Sequence, residues 1–307
     1  MDKIYDCLII GGGPAGYTAA LYAVRAGLSA AVIEGMSVGG QMTLTSEIDN
    51  YPGFDEGIDG FTLGLKMQQG AHRFGAETIF GEVTAVDFLD KIKKVTLTDG
   101  ELCGKTVIIA TGANPRTLGI AREEEFTGRG VHYCAHCDGR FYKGKTVAVI
   151  GGGNSAVQDA LYLSGLAQKV ILVHRRDELR ASKVYHDKIK SIENIEFKWN
   201  STLEEFIGEN RIEGIRLGNT VSGQAEEVAC DGVFVSIGRS PATKIFKDIV
   251  ALDDNGYILA DESTKTNIKG VFAAGDVRTK DLRQIVTAVS DGATAVYHAE
   301  AYLRKFA

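Results

Sequence analysis

The sequence predicts an α/β protein of two related, doubly wound units, with the second inserted into the first. Three observations predict it. A strand, glycine loop and helix follow one another from residue 4, and a second such run begins at residue 145. The two runs align on a shift of 140, so that Gly11 falls on Gly151 and Gly13 on Gly153. Two further strand-like segments, Thr106 to Ala110 before Gly112 and Gly270 to Ala274 before Gly275-Asp276, bracket the second run.

Each element has a local reason. Ile4 to Ile10 reads as a strand, followed by Gly11-Gly12-Gly13-Pro14-Ala15-Gly16 and a helix from Pro14 to about Ala26. Proline suits the first turn of a helix, where its missing N–H has no intrahelical partner. Ser29 to Ile33 is the next strand, which completes a βαβ unit. The second unit repeats this order: strand Lys145 to Ile150, loop Gly151-Gly152-Gly153-Asn154-Ser155-Ala156, helix to about Leu166, and strand Lys169 to Val173. The chain closes on an amphipathic helix from about Asp281 to Arg304, with Ile285, Ala288, Val289, Ala293, Val296 and Ala299 at helical spacing as its core stripe. The expected division is 1–113 with 244–307 for the outer domain and 114–243 for the inserted one. Glu123-Glu124-Glu125 reads as a solvated surface run.

Composition narrows the function classes. Hydrophobic residues make up 44% and charged residues 24%, which is ordinary for a globular chain able to bury a large core. Net charge is −6 with no basic block, so nothing points to nucleic acid. No window has the ~18 consecutive apolar residues of a membrane span. The N-terminus lacks the apolar stretch of a secretory signal, so a cytoplasmic location is expected. Cys7, Cys103 and Cys230 lie in or beside apolar strand-like runs and read as packing residues.

The first loop has the spacing of a dinucleotide site. Its glycines, Gly11, Gly13 and Gly16, allow a tight turn that brings backbone amides to a pyrophosphate, beside Pro14 and Ala15 at the helix start. Glu34 ends the next strand, where a carboxylate accepts hydrogen bonds from ribose hydroxyls. In the second loop, Gly151, Gly153, Asn154, Ser155 and Ala156 occupy the matching places. The position equivalent to Glu34 is His174, followed by Arg175, Arg176 and Arg180. A carboxylate would repel a 2′-phosphate, whereas a basic cluster binds one, so this site is expected to take NADPH rather than NADH. The fold class is therefore two Rossmann-like dinucleotide-binding domains.

Between the loops sits Cys134-Ala135-His136-Cys137, which reads as a redox dithiol. Zinc is the rival, with His132, Cys134, His136 and Cys137 in six residues, but no second Cys/His pair lies at the expected distance. Asp138 follows directly, as a proton shuttle for thiol–disulfide exchange or as an Asx turn into Gly139. His132 and His136 otherwise read as surface or loop histidines.

Taken together, these residues resemble the bacterial low-molecular-weight thioredoxin reductases over essentially the whole chain. The resemblance runs through the first loop, Gly39-Gly40-Gln41, Tyr51-Pro52-Gly53, Ala110-Thr111-Gly112-Ala113 and Gly130 to Gly139. It continues through the second loop, His174-Arg175-Arg176, Gly238-Arg239, Phe272 to Val277 and Arg283-Gln284. It implies FAD on the outer domain, held by the first loop and Glu34, with Gly40, Gln41, Asn50, Gly112, Gly275, Asp276, Arg283 and Gln284 lining the rest. It implies NADPH on the inserted domain through Ser155, Arg175, Arg176, Arg180 and Arg239. Cys137 would lie nearest the flavin, Cys134 would attack the partner disulfide, and Asp138 would be the acid–base. The resemblance also implies a homodimer, a thioredoxin or thioredoxin-like partner, and rotation of the inserted domain about hinges near residues 114 and 243.

The sequence departs from the family's usual pattern at His136, where Thr or Val is common, and at Arg140. Both departures bear on which thioredoxin is preferred. The neighbouring readings fit less well. The flavoprotein of a peroxide-reducing system carries an extra N-terminal region, ferredoxin-type reductases lack the dithiol, and glutathione-reductase-like enzymes place cysteines after the first loop, where Gly39-Gly40-Gln41-Met42 stands. A redox sensor or zinc-binding flavoprotein is the non-enzymatic alternative.

Overall fold

In the computed structural model, residues 3–35, 38–45 and 47–305 are described. The chain divides into two compact units, Met1–Asn114 with Ser240–Ala307, and Pro115–Arg239. The divisions fall at 114/115 and 239/240, against expected positions of 113/114 and 243/244. The later one moves because the chain is already tied to the first unit at Ala242, whose N–H donates to Gly112 O at 3.0 Å.

The first unit is built on a parallel sheet in the order Glu77–Phe80, Ala30–Glu34, Ile4–Ile10, Gly100–Ile109, with Val271–Ala273 also parallel to Gly100–Ile109. Lys93–Leu97 and Val83–Asp87 extend it as antiparallel strands. Leu8, Ile9, Val32, Val107 and Ile108 are fully buried. A parallel strand covered on both faces calls for such an unbroken apolar run. The helices Pro14–Arg25 and Ile285–Leu303 pack closely: a Cβ on Gly292 would lie 2.3 Å from Ala15 O.

The C-terminal helix buries Ala288, Asp291, Gly292, Ala295, Val296 and Ala299. The expected stripe is thus only half right. Ile285, Val289 and Ala293 are partly exposed, because close approach to the first helix selects a ridge of small residues instead.

The second unit has a five-stranded parallel sheet, ordered Ile195–Lys198, Lys169–Val173, Thr146–Ile150, Gly232–Val235, Val131–His132. A three-stranded antiparallel sheet follows, Ser201–Ile207, Gly214–Asn219 and Ala225–Ala229. Helix Asn154–Ser164 packs on the parallel sheet through Ala156, Val157, Ala160 and Leu163.

The glutamate run at 123–125 corrects an expectation. Glu123 is buried: it accepts the N–H groups of Leu118 and Gly119, and Tyr133 Oη donates to it, all at 2.8 Å. Glu125 instead pairs with Arg122 at 2.9 Å at the surface. Among the described residues, no helix is long and apolar enough to cross a membrane.

Candidate functional site

The two glycine loops have the same construction. Gly11 has φ +107° and Gly151 has φ +151°, which favour glycine at the strand exits. A Cβ on Gly11 would lie 2.5 Å from Ala110 O, and one on Gly151 would lie 2.4 Å from Ser236 O. Each first glycine is therefore wedged against the carbonyl at the end of a neighbouring strand. By contrast, a Cβ on Gly13 or Gly153 would meet nothing within 4 Å. Each of these glycines caps its helix in extended geometry with no side-chain hydrogen bond. Each helix thus presents unfilled N–H groups on an open face, a cradle suited to phosphate.

Behind each loop stands one side chain. A Cβ on Gly12 would lie 1.4 Å from Glu34 Oε2, and one on Gly152 would lie 2.2 Å from His174 Nδ1. Glu34 Oε2 and His174 Nε2 are both buried with no hydrogen-bond partner among the described residues. Burial pushes the Glu34 carboxyl above the ordinary range, opposed by Tyr17 and the loop amides of Gly12 and Gly39. A buried carboxylate oxygen without a donor fits ribose hydroxyls, so the loop and Glu34 suit the adenosine half of a flavin dinucleotide.

His174, at the position equivalent to Glu34, differs from the arginines that follow it in being buried. Burial holds its pKa below the ordinary value, and the charges of Arg176, Arg175 and Arg180 push the same way. The positive charge at this edge therefore belongs to the three arginines, all exposed. Their loop is fastened to the glycine turn: Arg180 N–H donates to Gly152 O at 2.7 Å, and Ser182 N–H donates to Asn154 Oδ1 at 2.8 Å. Asn154 thus anchors the arginine loop. The fit to a dinucleotide rests on the cradle and the unpaired His174 Nε2, and the fit to its 2′-phosphate rests on the three arginines.

The other expected lining residues of the first unit make contacts of their own. Asn50 Nδ2 donates to Gln284 Oε1 at 3.1 Å, and Gln41 Nε2 donates to Asn114 Oδ1. Arg283 lies 4.1 Å from the Tyr257 ring centroid, and its Nε reaches Asp276 O at 3.5 Å. Gly275 and Gly112 have φ +80° and +72° at strand ends, and Gly40, at φ +63°, would bring a Cβ within 3.1 Å of Gly13 Cα. Arg239 closes the second unit at the junction strand Arg239–Pro241.

Sequence reading missed the support for this turn. Asp291 accepts the Gly275 N–H at 2.9 Å and pairs with Arg278 and Lys280, each at 2.8 Å.

Cys134 and Cys137 form a disulfide, with Cα atoms 5.3 Å apart. The intervening turn, Ala135–Asp138, is a single helical turn in which Cys137 and Asp138 N–H both donate to Cys134 O, at 3.2 and 3.1 Å. His136 is exposed, its ring 4.1 Å from that of Tyr162. His132 is not a surface histidine: its side chain is 10% exposed, and its Nδ1 lies 3.1 Å from Asp138 Oδ2. Cys7 and Cys230 are buried packing residues whose thiols burial pushes up to about 12.

Two cradles suited to dinucleotide phosphates and a disulfide turn in one chain are the parts of a pyridine nucleotide-disulfide oxidoreductase. Residues 5–292 match the pyridine nucleotide-disulphide oxidoreductase family, and the chain belongs to it. Curated relatives that it matches include thioredoxin reductases. That of Listeria monocytogenes is 48% identical over 99% of this chain and 95% of its own length. That of Bacillus subtilis is 44% identical over 99% and 96%. The structure of thioredoxin reductase from Streptococcus pyogenes matches with TM-score 0.94 and 46% identity over 100% of both chains. That from Giardia duodenalis matches with TM-score 0.93 and 34% identity over 99% and 100%.

Proposed function

We propose that this chain is an NADPH-dependent, FAD-containing thioredoxin-disulfide reductase. The observation that carries it is the Cys134–Cys137 disulfide within the unit that bears the second cradle and the arginine loop. In this reading the first loop, Glu34 and the Asp276 turn hold FAD, and the second loop with Arg175, Arg176, Arg180 and Arg239 holds NADPH. FAD held there would supply two-electron redox chemistry between the nicotinamide and the disulfide.

The chain's own residues do the rest. The cradles orient the two dinucleotides, the arginines select the 2′-phosphate, and the disulfide turn stores the electrons as a dithiol. Cys137 receives them, Cys134 attacks the partner disulfide, and Asp138 carries the proton. A cytoplasmic homodimer serving a thioredoxin or thioredoxin-like protein belongs to the same reading.

The test is NADPH oxidation by the purified yellow protein, with oxidised thioredoxins as acceptors and Cys134→Ser as control. Turnover that requires thioredoxin and vanishes in the variant is expected. Flavin reduction by NADPH with no thioredoxin turnover would sink the substrate assignment.

A further inference from the structure

The dithiol turn has a partner that the proposed reading does not use. His132 ends the short strand Val131–His132, and its ring is held between aromatic neighbours. Phe234 stacks on it at 5.3 Å between centroids, and Tyr142 meets it edge-on at 5.3 Å. Held this way, its two nitrogens point at two different oxygens. Nδ1 faces Asp138 Oδ2 at 3.1 Å, and Nε2 faces Tyr142 Oη at 2.7 Å. The Asp138 side chain is 13% exposed, so water offers the carboxyl little competing solvation.

The geometry limits where protons sit. A neutral imidazole has one donor and one acceptor nitrogen. With Asp138 ionised, Nδ1–H donates to the carboxylate and Tyr142 O–H donates to Nε2. Adding one proton gives either an imidazolium that donates to both oxygens, or a carboxylic acid that donates to Nδ1 while Nε2–H donates to Tyr142. Every arrangement keeps both hydrogen bonds. Tyr142 remains a phenol throughout, since burial, then the charges of Asp138 and Asp231, push its pKa up. The groups facing the ring are thus Asp138, Tyr142 and Phe234, with Cys230 and Asp231 behind Tyr142.

We propose that His132 is a positioning residue that fixes the Asp138 carboxyl beside the dithiol and shares the proton Asp138 delivers to sulfur. This rests on the reductase reading above. The balance is simple. Opening the Cys134–Cys137 bond to two thiols takes two electrons and two protons. A hydride equivalent from NADPH brings both electrons and one proton. The Asp138–His132 pair supplies the second proton and recovers it from solvent. The dithiol then passes two electrons and two protons to the partner disulfide, and its own bond re-forms.

The experiment measures kcat against pH for thioredoxin reduction by the holoenzyme and by His132→Asn, His132→Ala and Asp138→Asn. Each rate is divided by the same variant's rate of ferricyanide reduction by NADPH, which corrects for folding and flavin content. Asn keeps a donor at the Nδ1 position but takes up no proton. Both His132 variants are expected to lose about tenfold or more in normalised kcat. Their kcat–pH profile should differ from that of the wild type, because the carboxyl loses the partner that shares its proton. His132→Asn matching the wild type in rate and profile, with Asp138→Asn impaired, would overturn the role of His132 alone. Asp138→Asn matching the wild type would overturn that role together with the acid–base reading of Asp138.

Discussion

Arg278 and Asp291 form a buried, two-pronged ion pair, with Nε donating to Oδ2 at 2.9 Å and Nη2 to Oδ1 at 2.8 Å. The arginine is 1% exposed and the aspartate 5%. Through the Gly275 N–H, this pair fixes the turn that presents Asp276. Asp291→Ala would leave the guanidinium without its buried counter-charge, at a cost of about 3–5 kcal/mol. Urea unfolding of the holoprotein should show that loss together with weaker flavin retention. A change below about 1 kcal/mol would refute it.

The same pair has a pH signature. Burial alone would raise the Asp291 carboxyl, but hydrogen bonds from Arg278 and Lys280 more than offset it, and the net shift is downward. A carboxyl depressed in the folded state stabilises above its unfolded pKa of about 3.9 and loses that contribution as pH falls through the folded value. Stability below about pH 4 should therefore fall more steeply in the wild type than in Asp291→Asn. Equal slopes in acid titrations followed by circular dichroism would count against it.

Glu34 behaves in the opposite sense. Its carboxyl is raised by burial, so its contribution to stability is present below the unfolded pKa and lost as pH rises through the folded one. Glu34→Gln should leave the apoprotein at pH 7 as stable as the wild type or more so. It should also weaken FAD binding by about tenfold, the worth of one ribose hydrogen bond to a charged acceptor. Urea unfolding of the apoprotein measures the first and flavin titration the second, and undiminished affinity would remove Glu34 from the flavin site.

Arg175→Ala with Arg176→Ala should raise the KM for NADPH by about tenfold or more and barely change that for NADH. Equal losses with both cofactors would end the phosphate-clamp reading. Because His174 is buried beneath Gly152, its replacement should impair both nucleotides alike and give no such discrimination.

Thiol chemistry separates the cysteines. Cys7 and Cys230, buried and pushed up to about 12, should resist iodoacetamide at pH 8 in the native, reduced protein, while Cys134 is alkylated. Peptide mass spectrometry reads the sites directly, and early labelling of Cys7 would contradict its packing role.

The glycine loops were legible because their chemistry is local: a strand exit, a tight turn and a helix start are contiguous in sequence. Glu34 and Arg175 were legible for the same reason, lying one strand further on. Asp291 was not, since an acid inside an apolar helix reads as a solvent-facing residue until the partner helix is known. One signal was present: Ala288, Gly292, Ala295 and Ala299 form a ladder of small residues at spacings of four, three and four, which marks the close-packed ridge. Glu123 and His132 escaped because their partners converge from separate turns. Nothing in a run of three glutamates tells which one will collect the amides of residues 118 and 119.

The outer unit needs both ends of the chain, whereas the inserted one is contiguous. Val271–Ala273 pairs with Gly100–Ile109, and Gly292 seats against Ala15. During synthesis, then, the inserted unit has its whole sheet once residue 239 has cleared the ribosome, while the outer sheet still lacks a strand. The turn that carries Cys134 and Cys137 can therefore be enclosed in a finished sheet before the outer sheet beside Gly11 gains its last strand.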